Sequence, residues 1–117
     1  MEDTIYTIYH LSIDPADFDT FSALAQVLVA ATSKEPDTTI YEYVVNAAHT
    51  EVHIVERYRP AGLLPHVEET FAPYAERFLE LAKIEKVFVY GDPSAEIRAK
   101  LDGFGATYFA PLAGFAR

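Results

Sequence analysis

The chain has 117 residues, half of them hydrophobic, with eight Tyr, eight Phe, no Trp, no Cys and a formal charge of −9. That length suits a single domain, 1-117, with a real core, and is too short for two. The acidity argues against nucleic acid or an anionic membrane as partner, because phosphate is bound through clustered Lys and Arg and the nine basic residues here are scattered.

The absence of Cys excludes disulfides, thiolate chemistry and Cys-based metal sites. Glu2 and Asp3 stand where a signal peptide needs basic residues, and no apolar run reaches membrane-spanning length. A cytoplasmic protein is expected.

From Thr4 to Leu11 bulky residues alternate on both faces, Ile5, Tyr9 and Leu11 on one and Tyr6, Ile8 and His10 on the other, as in a central strand covered on two sides. Asp14 is placed to cap a helix with Pro15 in its first turn, and Phe18, Phe21, Leu24, Ala25, Leu28 and Val29 form its stripe through Thr32. The SKEPD segment, Ser33 to Asp37, breaks it with a proline and charges. A hairpin follows, from Thr39 to Tyr58. With Ala47-Ala48 as its turn, Tyr41 lies opposite Ile54 and Tyr43 opposite Val52. The shared face then carries Tyr41, Tyr43, Val45, Val52, Ile54, Glu56 and Tyr58, apolar apart from one carboxylate. Such a carboxylate loses hydration, so it is paired, holds its proton to higher pH, or lines a cavity.

Arg59 to Gly62 stops the strand. The next helix carries Val67, Phe71, Tyr74, Phe78 and Leu81 as its stripe, with Pro73 inside it to kink or restart the ladder. Ile84 to Tyr90 reads as a fourth strand, again bulky on both faces. Ser94 caps a short helix with Ile97 and Leu101 inward, and Gly103-Phe104-Gly105 ends it. A last strand near ATYFAPLAGF, with Pro111 and Gly114, belongs at an edge and ends or bulges there. The order is α+β, a ferredoxin-like βαββαβ plan with an extra short helix and a C-terminal strand. Two main helices cover one face of that sheet, so the second greasy face calls for a second copy, sheet on sheet, in a homodimer.

The Tyr41-Glu42-Tyr43 strand, Glu56-Arg57-Tyr58, His66 with Phe71, and the GDPSAEIR turn followed by ATYF together resemble the antibiotic biosynthesis monooxygenase family of the dimeric α+β barrel superfamily. The resemblance covers nearly the whole chain as architecture. It implies a homodimer and, as in the characterised members, oxidation of phenols or quinols by molecular oxygen with no metal, haem or flavin cofactor. Other members degrade haem with an Asn and a Trp beside the His, and this chain has no Trp.

Two residues carry the expected chemistry. A His66 side chain directed at Glu56 would form a carboxylate-imidazole couple that takes the proton from a phenolic substrate, whose phenolate then passes an electron to oxygen. An ion pair of Glu56 with Arg57, Arg59 or His66 would satisfy the same carboxylate without any catalysis. Tyr41, Tyr43, Tyr58, Phe71 and Tyr74, together with Phe78, are candidates to line a pocket for a small aromatic or apolar ligand, or equally to form plain core. His49, Glu51 and His53 share a strand face that would need a further ligand to hold a metal; beside a turn they read as a solvated face, and no metal is expected. His10 reads as a core or interface residue. The function expected is a cofactor-independent monooxygenase acting on a small aromatic or quinol-like substrate. The alternatives are a non-enzymatic ligand-binding or stress-response homodimer of the same fold, and a protein-interaction module, which a cavity too small for an aromatic ring would favour.

Overall fold

The computed structural model describes residues 4–117; residues 1–3, with the acidic pair Glu2 and Asp3, lie outside them. Five strands form one mixed sheet in the order β2-β3-β1-β4-β5. Strand β1 (Ile5–Ile13) occupies the middle, antiparallel to both neighbours. Its odd-numbered residues Ile5, Leu11 and Ile13 are buried under the helices, while Tyr6, Ile8, His10 and Ser12 point to the opposite face and are only partly covered. Asp14 Oδ1 accepts from Ala16 N at 2.9 Å and starts a single 3-10 turn, Pro15–Asp17. Helix α1 (Phe18–Thr32) follows directly and buries Phe21, Ala25, Leu28 and Thr32, a stripe of four-, three- and four-residue steps.

Strands β2 (Thr38–Val45) and β3 (Glu51–Tyr58) form the hairpin, two residues out of the register expected from an Ala47-Ala48 turn. Tyr41 pairs with Glu56, Tyr43 with Ile54 and Val45 with Val52. Two alanines cannot supply the positive backbone angles that a two-residue hairpin turn requires. A longer loop replaces it: His49 takes φ 57°, and Asn46 Oδ1 accepts from the amides of Thr50 and Glu51 at 2.9 and 3.0 Å. A slip of two keeps every side chain on its face. It sets Tyr41 opposite Glu56 and not opposite Ile54.

The second covering segment is not one α-helix. A short turn α2 (Leu63–Pro65) runs into a π-helical stretch, His66–Phe71, then a 3-10 turn, Ala72–Tyr74, and only then helix α3 (Ala75–Leu81). Pro73 lacks the N–H that the Glu69 carbonyl would receive in an α ladder, and its ring crowds that carbonyl. The ladder opens upstream of it into a wider turn. Strand β4 (Ala82–Tyr90), helix α4 (Ala95–Asp102), capped by Ser94, and the four-residue edge strand β5 (Ala106–Phe109), parallel to β4, complete the chain.

The apolar side chains gather into two cores on the helix side. One joins α1 and α3 to β1 and β3 through Phe21, Leu28, Phe78, Leu11 and Ile54. The other joins α2 and α4 to β1, β3 and β4 through Leu63, Leu101, Ile5, Tyr58 and Val89. Among the described residues no helix covers the far face of the sheet, and Val44, Tyr90 and Phe109 are 55%, 41% and 48% exposed there. Among the described residues no helix is long and apolar enough to cross a membrane.

Candidate functional site

Tyr9 and Ile84 pack against both cores, and a small cavity lies where the two meet. Its volume is about 30 Å³, and Tyr41, Tyr43, Glu56, His66 and Phe71 are on its wall. Glu56 and His66 are 4% and 2% exposed. Strand pairing sets Glu56 beside Tyr41, and the π stretch brings both of its ends, His66 and Phe71, to the same hollow.

Glu56 has no cation as a hydrogen-bonding partner among the described residues. Arg57 is on the other face of β3, where Nε donates to Thr39 Oγ1 at 2.8 Å, and Arg59 donates to the Pro36 carbonyl at 2.8 Å. The carboxylate instead receives two neutral hydroxyls on a single oxygen, Oε1: Thr7 Oγ1 donates at 3.0 Å, and the Tyr58 phenol donates to the same atom. Burial raises the Glu56 carboxyl above its ordinary range, and the nearby His66 with these two bonds only partly offsets that. Both donors meet Oε1, and Oε2 receives no hydrogen bond among the described residues.

His66 is held by a residue that sequence reasoning passed over. Its Nδ1 lies 2.9 Å from Glu35 Oε2, and Thr38 Oγ1 donates to the other Glu35 oxygen at 2.5 Å. Both side chains are largely buried, at 3% and 14% exposure. A carboxylate on Nδ1 fixes the ring's orientation and leaves Nε2 as the nitrogen available to a ligand. Gly62 makes this meeting possible: a Cβ there would sit 2.8 Å from the Asp37 carbonyl oxygen, so only glycine lets the start of α2 press against the loop that carries Glu35.

The phenols divide by position. The Tyr41 and Tyr43 hydroxyls bond to each other at 2.8 Å at the cavity wall. Burial, then the neighbouring Tyr43 and Glu56, raises Tyr41; burial and Glu56 raise Tyr43 against the opposing pull of their mutual bond. Neither ionises near neutrality, so they act as hydrogen-bonding groups and not as bases. Tyr58 is fully buried and spends its hydroxyl on Glu56, and neither it nor Tyr74 reaches the cavity wall; Phe78 and Tyr9 do. His49 also departs from expectation. It leaves the strand for the turn and stacks on Phe18 at 3.8 Å, away from Glu51 and His53.

No protein-family model and no curated protein sequence matches the chain. Solved structures do. MupZ from Pseudomonas fluorescens is 27% identical, with a TM-score of 0.89 over 100% of this chain and 91% of its own. Rv0793 from Mycobacterium tuberculosis is 20% identical, with a TM-score of 0.64 over 78% of this chain and 96% of its own. A Nitrosomonas europaea protein provisionally named an antibiotic biosynthesis monooxygenase is 14% identical, with a TM-score of 0.66 over 79% of this chain and 92% of its own. The chain is thus similar to MupZ over its whole length and shares its α+β fold with proteins named as antibiotic biosynthesis monooxygenases.

Proposed function

We propose that the chain is an acid–base enzyme in which the Glu35-oriented His66 removes a proton from a small apolar, hydroxyl-bearing substrate while Glu56 holds or delivers one. The observation that carries this is the burial, in one cavity, of the Glu56 carboxyl beside a separate carboxylate–histidine pair. A carboxyl whose burial raises its proton affinity, beside an imidazole held in one orientation, is the kind of couple that general acid–base chemistry uses. The cavity as it stands is too small for an aromatic ring, the outcome that favours an interaction module, but such a module draws nothing from a buried acid and an oriented imidazole that share one hollow.

The resemblance to the monooxygenases makes a phenol or quinol the first substrate class to try. With no external reductant the substrate supplies all four electrons that dioxygen consumes. A ring CH2, or its enol tautomer, becomes C=O, and the second oxygen atom leaves as water. His66 would take the hydroxyl proton to give the electron-rich phenolate, with Tyr41 and Tyr43 orienting the oxygen. The 30 Å³ cavity holds about one water and no aromatic ring. Entry of a ring therefore requires the wall to move, and the π turn that carries His66 and Phe71 is the part of the wall outside a regular ladder.

The raised Glu56 carboxyl favours a second reading, a redox-neutral reaction such as isomerisation, in which Glu56 donates as His66 accepts. The two readings divide on oxygen. Under the first, a panel of quinols and naphthols supports oxygen uptake that falls about 100-fold or more in Glu56→Gln and in His66→Ala. Under the second, the same variants lose a turnover that proceeds equally without air. Absence of both, with a bound compound that copurifies and is never converted, would leave a binding protein and overturn the enzyme reading.

The open sheet face is also read as the seat of a homodimer, two copies packing sheet to sheet into an α+β barrel. The exposure of Val44, Tyr90 and Phe109 supports it.

A further inference from the structure

The uncovered face of the sheet carries a second group of chemistry-bearing residues, unconnected with the cavity. His10 of β1 and His53 of β3 are direct cross-strand partners, and Glu51 lies two residues from His53 on the same face. Their rings are stacked at 3.8 Å with 6° between the planes. Glu51 Oε2 lies 2.5 Å from His53 Nε2. One donor atom from each of the three residues falls within 4.8 Å of the other two. An ion at the centre of that triangle stands roughly 2.8 Å or less from every donor; reaching the ~2.0–2.2 Å of zinc–imidazole and zinc–carboxylate bonds requires the two rings to tilt out of their stack and His53 Nε2 to exchange its bond to Glu51 for the ion.

The surroundings suit a cation. The register of β1 with β4 shifts between His10 and Leu11, and the bulge at Glu85 turns its carboxylate onto this same face, where it accepts from Ser12 Oγ at 2.6 Å. Ser12 is the residue that pairs with Glu51. Lys86, the cross-strand partner of His10 on β4, is the charge that an ion would have to tolerate.

We propose that His10, His53 and Glu51 form a binding site for a divalent transition-metal ion of the imidazole-preferring class, zinc or iron(II). Two imidazoles and a carboxylate leave further coordination positions open. The sequence pattern around His49, Glu51 and His53 lacked this third ligand because His10 lies forty-three residues away along the chain and meets them only through strand pairing.

Calorimetric titration of the full chain with zinc chloride, and absorption of its cobalt(II) form, test the site. One ion should bind per chain, with the visible bands of a nitrogen- and oxygen-ligated cobalt ion. His10→Ala and His53→Ala should each weaken binding by at least about tenfold. Glu51→Gln, an exposed position that leaves the fold undisturbed, should weaken it as well, and His49→Ala should not. No binding by the wild-type chain, or binding unchanged in all three ligand variants, or binding lost in His49→Ala alone, would overturn the site.

Discussion

Glu56 makes stability depend on pH in the direction opposite to a surface-paired carboxylate. Its folded carboxyl holds a proton that the unfolded chain releases at the ordinary value of about 4.3. Folding therefore takes up a proton. The stability that this contributes is complete below the unfolded value and is lost as pH rises toward the folded one. Glu56→Gln keeps a carbonyl oxygen for Thr7 and Tyr58 and has no proton to lose. Its melting temperature should therefore match wild type below the ordinary carboxyl value of about 4.3 and exceed it by a growing margin as pH rises above that value, until Glu56 itself ionises in the folded chain. Glu56→Ala strands two buried hydroxyls and opens a hole, and should cost about 2–4 kcal/mol in denaturant unfolding. Thr32 offers the converse case. Its Oγ1 is buried with no hydrogen-bond partner among the described residues, so Thr32→Val should stabilise by about 1 kcal/mol.

Between residues and fold, two segment junctions position His66 and the residues around it. Gly62 lets α2 touch the loop at Asp37, whose carbonyl also accepts from the Arg59 amide at 2.8 Å. Gly62→Ala must push that loop outward and loosen Glu35 from His66. A loss of about 1–3 kcal/mol is expected, with a larger fall in turnover than the stability change explains. Pro73 sustains the π stretch. Pro73→Ala should leave the chain as stable or more so and allow an α ladder that swings Phe71 away from the cavity, seen as weaker ligand binding at unchanged melting temperature. Much at this scale was readable beforehand. The Asp14 cap, the α1 stripe apart from Val29, which is 36% exposed, the break at Pro73 and the short edge position of β5 each follow from a local rule. The hairpin register was not, because Ala47-Ala48 has no turn preference, and the loop is set by Asn46 and a positive φ at His49. Glu35 stayed hidden in SKEPD, where its charge reads as solvent-facing. Only the return of the chain at Gly62, a tertiary contact, brings it to His66.

The whole molecule presents one sheet with helices on a single side. Bulky residues on both faces of β1 announced the central position of that strand and the greasy far face; what covers that face is not written in any local pattern. If two copies seal it, light scattering should give a mass about twice 13.1 kDa, and Val44→Glu with Phe109→Glu should return it to a single chain without loss of helix or strand content. The enclosed acid is a property of this architecture, since it takes both cores and the π turn to keep water from Glu56. Carbon-13 NMR titration of the Glu56 carboxyl, assigned by its disappearance in Glu56→Gln, should show a midpoint displaced upward from the other carboxyls of the chain. A Glu56 signal that titrates together with the surface glutamates would mean an ordinary solvated carboxylate, and the acid–base site would not stand.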